Sequence, residues 1–252
     1  MKPISLQLYT LREAAKENFT KVLEDVAEIG YTGVEPAGFH GMTPREFRTV
    51  VEDLGMTVSS SHGPWIRGKE NVQEAIDTAG ELGIDLACSG FGKEMYATVD
   101  DVKKTAELVN SFVEPLKKAG ISLFMHNHYW EYEKFDGRLA YDIFAELCPD
   151  VLFEIDAYWA ANFGANDPAE EVRKLKDRMP LLHIKDGPLT KEDPMQALGQ
   201  GKMDISAVIE AADENVLRWV IVELDRCATD MVTAVKESYT YLIENGLASG
   251  RK

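Results

Sequence analysis

Short apolar runs alternate with longer amphipathic ones along the whole chain. Ile4–Leu8 predicts a first strand. A helix follows over Phe19–Ile29, with Val22, Leu23, Val26 and Ile29 at helical spacing and Gly30 as its stop. Gly33–Glu35 predicts the end of a second strand. Thr43-Pro44 then opens a helix with a capping side chain and a proline at the first helical position, and this helix runs to Leu54, closed by Gly55. Further strands are predicted at Met56–Ser60, Ile84–Cys88, Ile121–His126, Val151–Asp156, Leu181–Ile184 and Trp219–Leu224. Between and after them lie helices over Lys69–Leu82, Val99–Ala119, Leu139–Leu147, Pro168 to about Asp177, Ile205–Asn215 and Met231–Glu244. A polar, glycine-containing connection over 185–204 precedes the seventh helix.

That rhythm gives eight strand–helix units in 252 residues. Alternating β and α elements imply a parallel sheet. Eight units in this length favour a closed (β/α)8 TIM barrel over an open sheet. No stretch reads as an interior linker, so one domain over 1–252 is expected.

Composition narrows the function. A formal net charge of -16 makes a surface that repels phosphate backbones, so neither nucleic acid nor membrane is expected as a partner. The three cysteines, Cys88, Cys148 and Cys227, are odd in number and lack CxxC spacing, which fits a reducing compartment. The start, MKPISLQLYTLRE, lacks the apolar core of a signal peptide, and no run nears the roughly 20 apolar residues of a membrane span. The expected location is cytoplasmic.

The chemistry gathers where the strands end, which in such barrels is the active face. Glu35 ends the second strand and His62 follows the third. The fifth ends in His126-Asn127-His128, with both imidazoles two residues apart and so on one face. Glu154 and Asp156 end the sixth strand, His183 and Lys185 the seventh, Glu223 and Asp225 the eighth. Apolar strands ending in ionisable groups are costly unless those groups pair or bind a cation. Asp156, His183 and Glu223 sit on successive strands, about 5 Å apart, and so can meet around one ion. His126 is the natural fourth donor. A mixed carboxylate and imidazole set suits one divalent ion such as Mn²⁺, Co²⁺ or Zn²⁺.

Simpler readings exist for individual positions. Glu35 or Glu154 would pair with Lys185, Asp225 would pair with Arg226 or cap the last helix, and Trp65, Tyr158 and Trp159 would pack at the mouth. Read singly, each holds; together they need many polar groups to converge without a purpose.

GYTGVE at 30–35, HNHYWEY at 126–132, EIDAYW at 154–159, LLHIKD at 181–186 and VELD at 222–225 resemble the xylose isomerase-like TIM barrels of the sugar phosphate isomerase/epimerase family. The likeness covers essentially the whole chain. It implies a metal held by a strand-five carboxylate with Asp156, His183 and Glu223. It also implies proton abstraction beside a carbonyl through an enediolate. Many relatives carry Glu-Asn-His where this chain has His126-Asn127-His128, so a ligand that doubles as an acid/base carboxylate is replaced. The histidine form resembles inosose dehydratases and lyases of 3-keto sugars.

The reading is a metal-dependent sugar or keto-sugar isomerase or epimerase, with a carbon–oxygen lyase (dehydratase) acting on a keto-polyol or 3-keto glycoside as the alternative. His126, Asp156, His183 and Glu223 are the expected metal ligands. Glu223, His128, Glu154 and Lys185 are the expected catalytic groups, and Glu35, His62, Trp65 and Trp159 the expected substrate-binding ones. The expected partner is a small sugar or polyol, and strand-end loops are where a homo-oligomer would pair. No cluster of Arg and Lys marks the strand ends, so a phosphorylated substrate is not required. Endonuclease IV-like repair enzymes need more histidines than the five here. A non-catalytic sugar-binding barrel would lack the metal set.

Overall fold

A computed structural model describes residues 1–251. Its eight principal strands are β1 (Ile4–Gln7), β2 (Gly33–Glu35), β3 (Thr57–Val58), β4 (Leu86–Ser89), β5 (Ser122–His126), β6 (Leu152–Asp156), β7 (Leu181–Ile184) and β8 (Trp219–Val222). All pair in parallel, in the order β3-β2-β1-β8-β7-β6-β5-β4. The segment after β3 bridges the two ends of this curled sheet. The Ile66 amide donates to the Cys88 carbonyl at 3.0 Å, and Ser89 Oγ donates to the Ile66 carbonyl at 2.6 Å. The result is the TIM barrel that the alternating pattern predicts.

Helices α1 (Arg12–Ile29), α2 (Pro44–Asp53), α3 (Val72–Leu82), α4 (Val99–Lys118), α5 (Ala140–Leu147), α6 (Pro168–Leu175), α7 (Ile205–Glu210) and α8 (Met231–Glu244) surround the sheet. The predicted strands start too early for one repeated reason. Met56, Ile84 and Ile121 do not begin strands; their amides close the preceding helices, donating to the carbonyls of Val51, Ala79 and Leu116. Each follows a glycine in the left-handed region, Gly55, Gly83 or Gly120, where a side chain would be strained. Helix α1 begins at Arg12, ahead of the predicted Phe19. Asn18 leaves helical geometry inside it and its side chain accepts from the Lys21 amide at 3.0 Å, so it caps the predicted segment. Helix α7 stops well before the predicted Asn215. Asp213 builds a turn instead, accepting from the Asn215 amide at 2.8 Å. A small antiparallel hairpin, Lys134–Phe135 with Arg138–Leu139, turns at Asp136-Gly137 with both residues at positive φ.

The alternation of side chains along each strand creates two cores. Outward residues such as Leu123, Met125, Phe153, Ile155, Leu182, Ile184, Val220 and Val222 pack in the main cluster with the helices. Inward residues Leu86, Cys88, Phe124, Leu181 and Ile221 form a separate cluster, joined by Trp65, Leu152 and Trp219. Phe124 is two residues from His126, Leu181 from His183 and Ile221 from Glu223, so this apolar plug lies beneath those three side chains. It excludes water from below, and truncating Phe124 to alanine would cost about 3–5 kcal/mol.

The long connection after β7 folds around one carboxylate. Asp186 accepts from the amides of Gly187 (2.8 Å), Gly199 (2.9 Å), Gly201 (3.0 Å) and Met203 (3.1 Å). A Cβ on Gly201 would stand 2.1 Å from Asp186 Oδ1, so glycine is required for that approach. No helix among the described residues is long and apolar enough to cross a membrane.

Candidate functional site

The strand register brings the polar ends together. His126 pairs in register with Glu154, and Asp156 with His183. Asn127 ties β5 to β6. Its Oδ1 accepts from the Asp156 amide at 2.9 Å, and its Nδ2 donates to the Asp156 carbonyl at 3.1 Å. The register of the two strands carrying His126 and Asp156 is therefore fixed on both backbone groups.

Two layers result. In the upper one, His126, Asp156, His183 and Glu223 offer ligand atoms that all lie within 4.8 Å of one another. His183 Nδ1 is 2.9 Å from Glu223 Oε2. Lys185 is buried beside them, with Nζ 2.9 Å from both Asp156 Oδ2 and Glu223 Oε2 and 2.7 Å from Asp225 Oδ2. Asp225 thus pairs with Lys185, while Arg226 reaches the carbonyls of Lys191 and Asp193 and Asp230 caps α8.

The lower layer holds Glu154, which shares the inward face of β6 with Asp156. Glu154 Oε2 is 3.0 Å from His126 Nδ1 and 2.5 Å from His62 Nε2, and Oε1 is 3.2 Å from His183 Nε2. Glu35 is 3.0 Å from His183 Nε2 and 3.2 Å from His62 Nε2. Gln7 and Ser60 also donate to Glu35. Neither glutamate pairs with Lys185.

The electrostatics follow from this crowding. Burial alone would discharge Lys185, but Asp156, Asp225 and Glu223 hold it protonated well above the ordinary range. Burial raises the Asp156 carboxyl to about 6, against the pull of Lys185. Burial also pushes Glu223 up, yet Lys185 and His183 outweigh it and hold Glu223 ionised. Burial and the Lys185 charge bring His128 down to about 4, so it is neutral at physiological pH.

Above the layers opens a pocket of about 250 Å³, lined by Tyr9, Ala37, His62, Trp65, His126, His128, Trp159, Lys185, Glu223 and Asp225. It is below the roughly 300–1,000 Å³ of drug-sized sites and scaled to a single small polyol. His128 stacks on Trp130 at 4.2 Å, and the Trp130 indole donates to the Phe91 carbonyl, which steadies the imidazole. Glu35, Glu154, Asp156 and His183 stand behind or below the pocket wall. Sequence reasoning did not single out Tyr9, Gln7, Asn127 or Glu131. Gln7 carried a signal, a polar residue ending a buried apolar strand. Glu131 caps the strand-five turn, accepting from the His128 amide at 2.9 Å, and nothing in its spacing marks that.

The upper layer fits a divalent cation. Asp156 Oδ2 is buried without a hydrogen-bond donor among the described residues, its contact with Lys185 lacking hydrogen-bond geometry. The donor set mixes two carboxylates with two imidazoles, the chemistry of first-row metal sites.

No curated protein sequence matches the chain. Solved structures do. A sugar phosphate isomerase/epimerase from Parabacteroides distasonis ATCC 8503 superposes with a TM-score of 0.82 at 26% identity, over 98% of this chain and 96% of that one. A D-allulose 3-epimerase from Methylomonas sp. shares the fold at TM-score 0.71 and 15% identity, over 96% and 97% of the two chains. So does the probable 3-DHS dehydratase AsbF from Bacillus anthracis, at TM-score 0.75 and 12% identity, over 96% and 99%. The family model described as xylose isomerase-like TIM barrel matches residues 23–244. The β/α barrel, its strand-end cluster and this match agree: the chain belongs to the xylose isomerase-like TIM barrel family.

Proposed function

We propose that the protein is a divalent-metal-dependent isomerase or epimerase of a small sugar or keto-sugar. The observation that carries this reading is the buried upper set, His126, Asp156, His183 and Glu223, two of whose members, His126 and Glu223, line a pocket sized for one sugar ring. A bound Mn²⁺, Co²⁺ or Zn²⁺ ion would supply Lewis-acid polarisation of adjacent carbonyl and hydroxyl oxygens.

The chain's own residues then divide the work. Trp65 and Trp159 give apolar faces to the ring, with the Lys185 ammonium 5.2 Å from the Trp159 centroid. Lys185 donates to developing negative charge on the substrate oxygen, because its neighbours keep it protonated. Glu223, held ionised, and His128, held neutral, are the two proton-handling groups of the pocket wall. Glu223 takes the proton from carbon beside the carbonyl, and His128 relays it to water or back to carbon. Glu154 is fully buried with three imidazoles around it, which suits holding those rings better than meeting substrate. His62 faces the pocket edge and orients a hydroxyl, while Glu35 steadies His62 from beneath.

A second reading is a lyase that expels a β-hydroxyl from a keto-polyol or an aglycone from a 3-keto glycoside. The buried Lys185 favours it, since a lasting ammonium in the pocket wall can donate a hydrogen bond to a leaving oxygen as negative charge builds on it. Incubation with a panel of ketoses and 3-keto glycosides, followed by NMR, separates the two. An intact carbon skeleton with inverted or shifted carbonyl chemistry supports the isomerase or epimerase. Release of water or aglycone supports the lyase. Unchanged substrates throughout, with the metal bound, would sink both.

A further inference from the structure

The upper and lower layers share two imidazoles, and this has a consequence for where a cation can sit. His62, His126, Glu154 and His183 also offer ligand atoms within 4.8 Å of one another. His126 Nδ1 is 3.0 Å from Glu154 Oε2, and His183 Nε2 is 3.2 Å from Glu154 Oε1. Two ligands bonded to one zinc at about 2.0–2.1 Å stand roughly 3.0–3.4 Å apart, so these two separations match a shared ion, while His62 Nε2, 2.5 Å from Glu154 Oε2, would have to move outward by about half an ångström to join it. Glu154 is completely buried, and its Oε1 has no hydrogen-bond donor among the described residues. With His183 Nε2 at 3.2 Å but out of hydrogen-bond geometry, this buried carboxylate oxygen lacks a proper donor, and a cation would satisfy it.

We infer that the protein has a second, deeper cation position on His62, His126, Glu154 and His183, and that it excludes simultaneous occupation of the upper one. The exclusion follows from the lone pairs. A neutral imidazole has one, so His126 and His183 each serve one ion at a time. His183 is arranged for either role. With Nε2 on the deep ion, Nδ1–H donates to Glu223 at 2.9 Å; with Nδ1 on the upper ion, Nε2–H donates to Glu35 at 3.0 Å. When the ion is deep, Lys185 stands against Asp156 and Glu223 at 2.9 Å and supplies the positive charge that the upper carboxylates need.

The two positions select different metals. The deep set has three imidazoles and one carboxylate, whereas the upper has two of each. Imidazole-rich sets favour Zn²⁺ and its softer neighbours, and carboxylate-rich sets tolerate Mn²⁺. Each set has two members in the pocket wall, His62 and His126 for the deep one and His126 and Glu223 for the upper, so what distinguishes a zinc ion held by Glu154 is that it takes His126 and His183 away from the upper carboxylates. Zinc would lock the protein in a resting form that manganese does not adopt. The part of this inference that concerns the upper set rests on the proposed function; the deep set does not.

The test is zinc stoichiometry and zinc K-edge X-ray absorption on the full chain, for the wild type, His62→Asn and Asp156→Asn, with circular dichroism to confirm folding and Glu223→Gln as a second upper variant. The inference expects one zinc per chain with three imidazoles in the wild type. It expects the same signature in Asp156→Asn and Glu223→Gln, and a drop to two imidazoles in His62→Asn. Two zinc ions per chain would overturn the exclusion. A two-imidazole signature that His62→Asn leaves alone, and that Asp156→Asn abolishes, would overturn the deep position and leave the upper site standing. Zinc lost only in His62→Asn, with no metal of any kind retained there, would support the deep position and overturn the metal set of the proposed function. No zinc in any form would remove the deep position.

Discussion

Lys185 Nζ lies 2.9 Å from Asp156 Oδ2, so an internal ammonium touches a buried carboxylate oxygen that has no hydrogen-bond donor among the described residues. The same nitrogen meets Glu223 and Asp225, which makes Lys185 the counter-charge for three acids at the mouth of the barrel.

Replacing Lys185 with methionine keeps the aliphatic stem and removes that charge. Breaking a buried pair by deleting one partner costs about 3–5 kcal/mol, because the remaining charge is left uncompensated. The metal-free variant should therefore melt well below the wild type. Added Mn²⁺ should recover more of the melting temperature in the variant than it adds to the wild type, since the ion replaces the missing charge. Turnover should fall by about 10²–10³-fold even with metal, the scale of losing one donor to developing negative charge. Thermal melts with and without Mn²⁺ check the first part. Equal metal-induced shifts in the two proteins would contradict it.

Glu131 gives a pH dependence with a defined sign. Burial raises its carboxyl from 4.5 to about 8, with Oε1 unpartnered among the described residues. Between those values the folded protein holds a proton that the unfolded chain has released, so this group's contribution to stability falls as pH rises, and each unit is worth about 1.4 kcal/mol. The contribution is intact below pH 4.5 and is lost as pH climbs through about 8. Glu131→Gln stays neutral and can still accept from the His128 amide. It should melt close to the wild type near pH 5 and clearly above it at pH 9. A variant that melts lower than the wild type at pH 9 would rule this out.

Asp186→Asn tests how the loop after β7 is held. Four backbone amides converge on two carboxylate oxygens, two on each. An asparagine supplies one acceptor and turns its NH₂ toward two donors. Leaving buried donors unmatched costs about 1–3 kcal/mol. Hydrogen exchange should speed up at Gly199 and Gly201, which share Oδ2, or at Gly187 and Met203, which share Oδ1, according to which oxygen is lost. Uniform protection across all four amides would show that the loop does not depend on the charge.

Much of this fold was legible in the chain because its signals are local. Leu181–Ile184 has the bounds its apolar pattern predicts and the second strand ends at Glu35 as expected, since a proline flanks each. Met56, Ile84 and Ile121 misled because an apolar residue after a stop glycine serves the helix it ends, and hydrophobicity does not tell that use from a strand start. The turn at Asp136-Gly137 was readable and went unread. In the site, the set on β5 to β8 follows from strand adjacency. What Lys185 pairs with does not, because Asp156, Glu223, Asp225, Glu35 and Glu154 are all plausible acids until the register and side-chain directions are known. The two-layer arrangement was equally hidden. It depends on Glu154 lying one inward step below Asp156 and on His62 reaching across the barrel from the far side of the sheet order.

Proton abstraction beside a carbonyl is the step the upper set is expected to support. Solvent exchange measures this directly, before any question of product. The Mn²⁺-loaded protein, incubated with a ketose panel in D₂O, should place deuterium on carbon next to the carbonyl of at least one substrate. Chelation of the metal, and Glu223→Gln, should each reduce that exchange by at least about 10²-fold, the lower range for a positioned acid or base. Exchange that proceeds undiminished in Glu223→Gln and after chelation, or no exchange by metal-loaded protein with any ketose, would contradict the account.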